Sequence, residues 1–298
     1  SYFKYATGLK MTNNKKWNNL FGFARREPEA EIEQYHCNLA LAIQQVTEEV
    51  VIKMALEAKK ITGADNLCLA GGVALNCVAN GKLIQQNIFK NVYIQPAAGD
   101  AGGALGAAWA TNYIYYDSKR IVDPTKDSMK GAYLGPDYSE KEIELMSRKT
   151  KAVYHKCENL SQLSDEIANY LDKGLIIGWF QGRMEFGPRA LGNRSIIGDA
   201  RNLEMQKKLN LKIKYREGFR PFAPSVLAED VGEYFEMDQD SPYMLTVSPI
   251  AEKRKKKLPE NYFDLSMWER LYTPRSDIQS ITHLDFSARI QTVHKETN

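Results

Sequence analysis

Hydrophobic positions recur every three or four residues between positions 31 and 61, which predicts one long amphipathic helix. Gly63 follows the last of these positions and is expected to end the helix. The residues predicted to form its buried stripe are Leu39, Ile43, Val46, Val50 and Met54.

A first unit of strand, turn and helix comes next. The apolar run 67–70 predicts a short strand, and it breaks at Gly71 and Gly72, the first glycine turn. The pattern then resumes as a helix that carries Asn76 and Asn80.

A second unit of the same kind follows directly. The apolar run 92–96 predicts a strand, residues 99–103 a second glycine turn, and the small residues of 104–116 a helix. Both glycine turns are expected at the carboxyl ends of strands, which is where open α/β sheets bind ligands.

A polar, turn-rich stretch over 117–131 separates these units from the rest of the chain. We therefore predict a first domain over 1–118, a linker over 119–135 and a second domain over 136–298. The expected fold class is α/β with mixed α and β elements.

The second domain is expected to repeat helix and strand. Ser139 and the acidic residues after it predict a capped helix, and residues 152–156 predict a strand. Residues 160–173 predict a helix that ends at Gly174, and residues 175–180 predict a buried strand.

Composition and charge argue against several classes of protein, namely non-specific nucleic-acid binders, membrane-spanning proteins and secreted proteins. With 43% hydrophobic residues, the 298-residue chain can bury a sizeable core. The net charge of +3 is too small for the basic surface that non-specific nucleic-acid binding usually needs. No apolar run approaches the ~20 residues that span a bilayer, and the N-terminal stretch resembles no signal peptide. We expect a soluble, cytoplasmic protein.

The cysteines have no metal-binding spacing of the familiar kind. They stand at Cys37, Cys68, Cys77 and Cys157, with no C-x-x-C pair. We expect them to be buried free thiols.

The stretch 181–201, QGRMEFGPRALGNRSIIGDAR, is the arginine loop. Its glycines and Pro188 give it an unusual, stiff backbone that can hold Arg183, Arg189 and Arg194 in fixed directions. A single arginine would more often form a surface ion pair. Three within twelve residues, beside Asn193 and Ser195, predict a pocket for phosphate or carboxylate oxygens.

A second basic stretch, 208–227, strengthens this prediction. It carries Lys212, Lys214, Arg216 and Arg220 among prolines that stiffen the backbone. The second domain is therefore expected to bind a polyanion.

The glycine turns leave two interpretations open. A glycine pair after a strand suits a tight packing turn about as well as a phosphate site. Asp100, between glycines, is more often a helix N-cap than a metal ligand, and both roles can coexist.

Five motifs in the same order resemble one family. They read CLAGGVALNCVANGKL, PAAGDAGGALGAA, GRMEFGPRALGNRSII, REGFRPFAP and ARIQTV. In this order they resemble the O-carbamoyltransferases of the nodulation and antibiotic-biosynthesis type (NodU/CmcH/TobZ), and the resemblance covers nearly the whole chain.

The resemblance implies a two-part enzyme. The first part would belong to an actin-like ATPase domain (ASKHA, ribonuclease-H-like), and the second would be a YrdC-like domain with a twisted sheet. The YrdC-like part would make carbamoyl adenylate from carbamoyl phosphate and ATP. The ATPase-fold part would pass the carbamoyl group to a hydroxyl of a small molecule or sugar. The implied cofactors are ATP and a divalent metal: iron, manganese or magnesium.

Residue patterns and resemblance together assign the site. Asp100 is the predicted metal ligand. Predicted catalytic residues are Arg183, Arg189, Asn193 and Arg194. Predicted to bind nucleotide or carbamoyl phosphate are Gly71, Gly72, Asn76, Gly99, Gly102, Ser195, Lys212, Lys214, Arg216, Arg220 and Arg289.

The chain departs from the family pattern in places. The family's H-x-x-x-H metal pair is expected before the glycine turns, where this chain has only His36, so we expect a fragment of a longer transferase. Family members typically continue beyond ARIQTV. Phe286 and Ala200 stand where glycine and proline are usual, so those loops are expected to differ in shape.

Two other classes of function stay open at this point. A sugar-kinase-like enzyme of the same ATPase superfold would transfer phosphate, but it would not need the arginine loop. A YrdC-like module that binds double-stranded RNA would need a more basic surface, and the run 252–257 predicts a solvated charged loop instead. The partners expected are carbamoyl phosphate and a hydroxylated acceptor, with no membrane and no nucleic acid. The sequence leaves open the acceptor, a homodimer, the metal and the activity of this chain alone.

Overall fold

The structure, a computed structural model, describes residues 2–6, 8–9, 11–28, 30–123 and 126–297. It has a mixed α/β architecture of helices and small two-stranded sheets. The chain forms two compact units, residues 1–43 and residues 44–298.

The helices account for most of the regular structure. Their bounds are α1 Asn14–Phe21, α2 Gln34–Thr62, α3 Cys77–Gln85, α4 Asp100–Ala110, α5 Glu140–Thr150, α6 Leu160–Asp172, α7 Met205–Lys208, α8 Val231–Tyr234 and α9 Met267–Tyr272. None of the described helices combines the length and the apolar character that crossing a membrane requires.

The strands pair in twos within the described part of the chain. Parallel pairs are β1 Asn66–Leu69 with β2 Asn91–Ile94, and β5 Ser225–Leu227 with β8 Gln291–Val293. Antiparallel pairs are β3 Ile177–Phe180 with β4 Arg194–Ile197, and β6 Val247–Pro249 with β7 Ser287–Arg289.

The first unit is built around α1 and its aromatic residues. The side chain of Asn13 caps α1 by accepting a hydrogen bond from the backbone N–H of Lys16 (3.3 Å). Trp17 and Phe21, one turn apart, stack with ring centroids 5.2 Å apart. Gly22 ends the helix in the left-handed conformation (φ 78°).

The core of the second unit draws on both predicted domains. Ala74 and Ala98, next to the glycine turns, cluster with Leu191 of the arginine loop and with Leu245. The buried side chain of Asn80 donates hydrogen bonds to the carbonyls of Ala74 and Leu245, each 2.8 Å away. The linker 119–135 lies partly outside the described residues, because it includes 124 and 125. The predicted domain boundary therefore stays a prediction.

The predicted stripe of α2 is wrong, although the helix itself is confirmed. Val46, Val50 and Met54 are 48–67% exposed. The small residue Ala55 is buried instead and packs with Leu83 and Phe89. Apolar residues repeat on two faces of α2, so the periodicity alone does not tell which face is buried. The buried face carries the small residue Ala55, which lets α2 approach α3 closely.

The strand predicted at 152–156 is also wrong. These residues are irregular and lie between α5 and α6. The neighbouring helices are confirmed: Ser139 forms a capping box with Glu142 at the start of α5, and α6 spans the predicted range. Val153 and Tyr154 favour a strand, but this preference did not suffice here, because a strand also needs a partner.

The prediction of buried thiols is wrong as well. Cys68 is exposed, and Cys37, Cys77 and Cys157 are half-buried. All four are free thiols, as predicted. Cys68 lies on β1, where alternate side chains face solvent.

Candidate anion site at the glycine turns

Three segments meet in the second unit: the two glycine turns and the arginine loop. The backbone N–H of Gly71 donates to the carbonyl of Ala98 (2.8 Å), which joins the first turn to the residues leading into the second. Gly187 of the arginine loop has a φ of 126°, and a Cβ there would lie 3.1 Å from the carbonyl oxygen of Pro96. Backbone therefore approaches backbone closely at both places, as the glycines allow.

The glycines of the turns have different physical roles. Gly71 adopts a φ of 97°, which side chains disfavour, whereas a Cβ on Gly72 would meet no described atom within 4 Å. A Cβ on Gly102 would lie 2.2 Å from the carbonyl oxygen of Ala97, and one on Gly99 would contact Leu75 at an ordinary 3.7 Å. Gly71 and Gly102 are thus required by the fold, while space is open above Gly72.

Asn76 and Asp100 both lie at helix starts. The Asn76 side chain caps α3 by accepting from the N–H of Ala79 (3.1 Å), and it also exchanges hydrogen bonds with Gln44. Gly99, and not Asp100, is the N-cap of α4, so Asp100 is the exposed first residue of that helix. Asp100 belongs to no group of three potential metal-ligating side chains among the described residues.

A buried carboxylate organises the arginine loop. Glu185 accepts hydrogen bonds from the backbone N–H groups of Leu191 (2.7 Å), Asn193 (2.9 Å) and Arg194 (3.2 Å). Burial acts to raise the pKa of Glu185, but these hydrogen bonds to the charged form outweigh it and lower the pKa. Glu185 was not among the residues predicted for the site, because its partners are backbone N–H groups that its place in the sequence does not reveal.

Arg194 donates hydrogen bonds to backbone carbonyl groups of the arginine loop. Its Nη1 donates to the carbonyls of Gln181 (2.7 Å) and Asn193 (2.8 Å), and its guanidinium stacks on Phe180, 3.4 Å from the ring centroid. Arg183 is half-exposed and lies 3.8 Å from a carboxylate oxygen of Asp137.

Asn193 and Ser195 are likewise engaged within the loop. The side-chain amide of Asn193 donates to the carbonyl of Arg183 (2.7 Å), and the hydroxyl of Ser195 accepts from the N–H of Gly192 (3.0 Å). The predicted catalytic arginines have different partners: Arg183 and Arg194 contact residues 134–137, whereas Arg189 contacts Leu75.

Arg189 and Arg289 form the core of the candidate site. Arg189 Nη2 donates to the carbonyl of Leu75 (3.0 Å), directly before α3. The Nε atoms of Arg189 and Arg289 are both buried and have no hydrogen-bond partner among the described residues. Burial lowers the pKa of Arg289, and the positive charges of Arg189 and Arg216 lower it further. Cys77, the first residue of α3, also interacts with Arg289.

The second basic stretch contributes one residue to this cluster. Arg216 is half-buried, donates to Asn210 (2.7 Å) and lies over the ring of Phe222. Arg220 pairs with Glu217 (3.1 Å), and the predicted binding residues Lys212 and Lys214 are exposed.

The arrangement is suited to bind an anion. Buried N–H donors without partners are costly, and like charges close together repel each other. The N-terminus of α3 adds the positive end of its dipole beside Leu75 and Cys77. A phosphate group would satisfy the donors and neutralise the charge at once.

Comparisons with known proteins agree with the motifs. Residues 1–109 match the family Carbamoyltransferase N-terminus, and residues 168–298 match Carbamoyltransferase C-terminus. An uncharacterised protein of Synechocystis sp. is 55% identical over all of this chain and 48% of its own length. Nodulation protein NolNO of Sinorhizobium fredii is 37% identical over 89% of this chain and 36% of its own. The 3'-hydroxymethylcephem-O-carbamoyltransferase of Streptomyces clavuligerus is 29% identical over 90% of this chain and 44% of its own.

The chain spans about half the length, or less, of these relatives. The N-terminal family match precedes the C-terminal match along the chain. Arg189 and Arg289 lie in the C-terminal match, whereas the residues that they contact, Leu75 and Cys77, lie in the N-terminal match. By its motifs, its family matches and its relatives, this chain belongs to the carbamoyltransferase family.

Proposed function

We propose that this protein is an O-carbamoyltransferase that moves a carbamoyl group from carbamoyl phosphate, through an ATP-derived carbamoyl adenylate, to a hydroxyl of a small molecule or sugar. Membership of the family supports the transfer, and the name of the Streptomyces clavuligerus relative, a 3'-hydroxymethylcephem-O-carbamoyltransferase, supports a hydroxyl as the acceptor for that protein. A cytoplasmic location and a homodimer stay predictions.

One observation supports a role for particular residues in anion binding. The Nε atoms of Arg189 and Arg289 are buried and have no hydrogen-bond partner among the described residues. Each Nε–H can donate one more hydrogen bond, and a phosphate offers acceptors in several directions. The two guanidinium groups also stand beside the start of α3, so fixed positive charge comes from both family segments.

We assign the phosphate groups of carbamoyl phosphate and ATP to this cluster. Making an acyl adenylate requires mainly that phosphate charge be neutralised and that the reactants be held in place. Arg189 and Arg289 would hold the anion, and Arg216 would add charge next to it. Arg183 and Arg194 would act by fixing the loop that carries Arg189, because their own donors are used within the loop or next to it.

The ligand set for the proposed metal is incomplete among the described residues of this chain. Asp100 offers one exposed carboxylate, and a divalent ion needs several ligands. The described residues around Asp100 do not supply a full set, and we derive no step of the transfer through a metal.

A full-length assay tests the proposal against a sugar kinase. The protein is incubated with ATP, carbamoyl phosphate and a panel of hydroxylated metabolites, and the products are separated by mass spectrometry. Pyrophosphate together with a carbamoylated product supports the transferase. A phosphorylated acceptor without pyrophosphate would identify a kinase and overturn the proposal.

A further inference from the structure

A second cluster of reactive side chains lies away from the arginines, between α5 and α6. The ligand atoms of His155, Cys157 and Glu166 all lie within 4.8 Å of one another. His155 Nε2 is 3.3 Å from Glu166 Oε2, and Cys157 Sγ is 3.8 Å from each of these two atoms.

The local backbone explains how the three residues meet. His155 and Cys157 are two residues apart on an irregular segment, and their side chains both reach Glu166. Glu166 lies in the middle of α6, which begins at Leu160. One turn further along, the Tyr170 hydroxyl donates to Glu166 Oε1 (2.7 Å) and leaves Oε2 directed at the other two residues.

The distances suit a tetrahedral ion. A zinc ion binds histidine nitrogen and carboxylate oxygen at about 2.0–2.2 Å and thiolate sulfur at about 2.3 Å, so its ligand atoms are separated by roughly 3.3–3.7 Å. The 3.3 Å and 3.8 Å separations here are close to those edges. A closing movement of a few tenths of an ångström would complete the geometry.

Hydrogen bonds alone can also hold the cluster, because Glu166 Oε2 can accept from both the Nε2–H of His155 and the Sγ–H of Cys157. Binding a cation removes the protons from these two donor atoms, so the hydrogen-bonded form and the metal-bound form are alternative states that a metal titration distinguishes. A catalytic cysteine with a histidine base would place the carboxylate on the opposite ring nitrogen, which is not the arrangement here. A cation at the centre satisfies all three atoms together.

We propose that His155, Cys157 and Glu166 bind a divalent ion of the zinc class, with water as the fourth ligand. The mixture of thiolate, imidazole and carboxylate suits this borderline ion better than calcium or magnesium, which prefer oxygen. The His155 side chain is 71% exposed, so the site is open to solvent on one side and an ion can enter.

The expected consequence of binding is a local clamp. The ion would tie the segment between α5 and α6 to the middle of α6, while Tyr170 orients the carboxylate from the outer shell. This inference does not rest on the proposed transferase activity, because none of its residues belongs to the arginine cluster.

Cobalt substitution tests the site. The metal-free chain is titrated with Co²⁺ and then with Zn²⁺, and absorption spectra are recorded. We expect one equivalent of Co²⁺ to give a thiolate-to-cobalt charge-transfer band, and Zn²⁺ to displace it. Cys157→Ser should abolish the band, and Tyr170→Phe should weaken binding by about 10- to 100-fold.

Cys68→Ser is the matched control, since Cys68 is an exposed thiol elsewhere in the same unit. It should leave the band and the affinity unchanged. His155→Gln gives a second test that leaves the fold intact, because that side chain is largely exposed. The proposal is overturned if the unmodified chain gives no band, if the band persists in Cys157→Ser, or if His155→Gln binds Co²⁺ with unchanged affinity.

Discussion

Arg189 donates a hydrogen bond from Nη2 to the carbonyl oxygen of Leu75 (3.0 Å), which joins the arginine loop to the residue before the N-cap of α3. The contact uses one donor of the guanidinium and leaves the buried Nε without a partner among the described residues. The arginine is thus held in place by the protein while part of its hydrogen-bonding capacity remains for a ligand.

Phosphate, pyrophosphate and ATP should therefore raise the melting temperature of this chain. At an anion concentration 100-fold above its Kd, the free energy of unfolding should rise by about 2.7 kcal/mol. Arg189→Ala and Arg289→Ala should each remove most of this shift. Arg189→Lys should restore only part of it, because an ammonium cannot make the bidentate contact. Differential scanning calorimetry with and without each anion measures the effect.

Arg201→Ala provides the control for an ordinary surface arginine. Arg201 is exposed and pairs with Asp172 (2.7 Å) and Asp199 (2.9 Å). Its loss should cost about 0–1 kcal/mol and leave the anion-induced shift complete. An unchanged shift in both Arg189→Ala and Arg289→Ala would show that the arginine cluster is structural.

Adjacent glycines of α4 give a second prediction about the turns. A Cβ on Gly102 would lie 2.2 Å from the backbone oxygen of Ala97, whereas one on Gly103 would meet no described atom within 4 Å. Gly102→Ala should lower the free energy of unfolding by roughly 1–3 kcal/mol, as overpacking does. Gly103→Ala should raise it by up to about 1 kcal/mol, since alanine favours a helix. Urea unfolding compares the two, and equal effects would contradict the close approach.

The strands and helices around the glycine turns could be predicted from sequence because local signals agreed there. β1 and β2 are short apolar runs, each followed by a glycine turn, and α3 begins after the first of these turns. Ser139 likewise carries a complete capping box at the start of α5. The strand expected at 152–156 failed because its five residues gave no sign of whether a partner strand existed.

The sequence predicted the kind of ligand that the candidate site would bind, but not which residues would contact one another there. The glycines, prolines and arginines of the sequence indicated an anion pocket. They did not indicate that Arg194 would bind carbonyl groups of its own loop. Nor did they indicate that Arg289 would lie near Arg189, which is a hundred positions earlier in the chain. Those are contacts between distant segments, which spacing along the chain does not encode. The organising role of Glu185 was missed for the same reason, since its partners are backbone N–H groups.

The exposed stripe of α2 leads to a third prediction. Leu83 is 1% exposed beneath α2, whereas Met54 on α2 is 67% exposed. Leu83→Ala should cost roughly 2–5 kcal/mol of unfolding free energy through the cavity it leaves. Met54→Ala should change it by no more than about 0.5 kcal/mol. Denaturant unfolding of this chain distinguishes the two faces, and a loss from Met54→Ala as large as that from Leu83→Ala would mean that the stripe is buried after all.

Glu185 gives the last prediction, because its lowered pKa links the arginine loop to pH. A carboxyl whose pKa is lower in the folded state than in the unfolded state stabilises the protein above its unfolded pKa of roughly 4.3, and loses that contribution as pH falls through the folded value. Glu185→Gln removes the charge that accepts three backbone hydrogen bonds, so it should cost about 1–3 kcal/mol at neutral pH. The difference from the unmodified chain should be constant down to about pH 5 and should shrink in stronger acid, where the carboxyl itself becomes protonated. Urea unfolding at a series of pH values measures this, with Glu260→Gln as the control because that side chain is exposed. A Glu185→Gln difference that stays the same from neutral pH to pH 3 would show that the charge of Glu185 does not hold the loop.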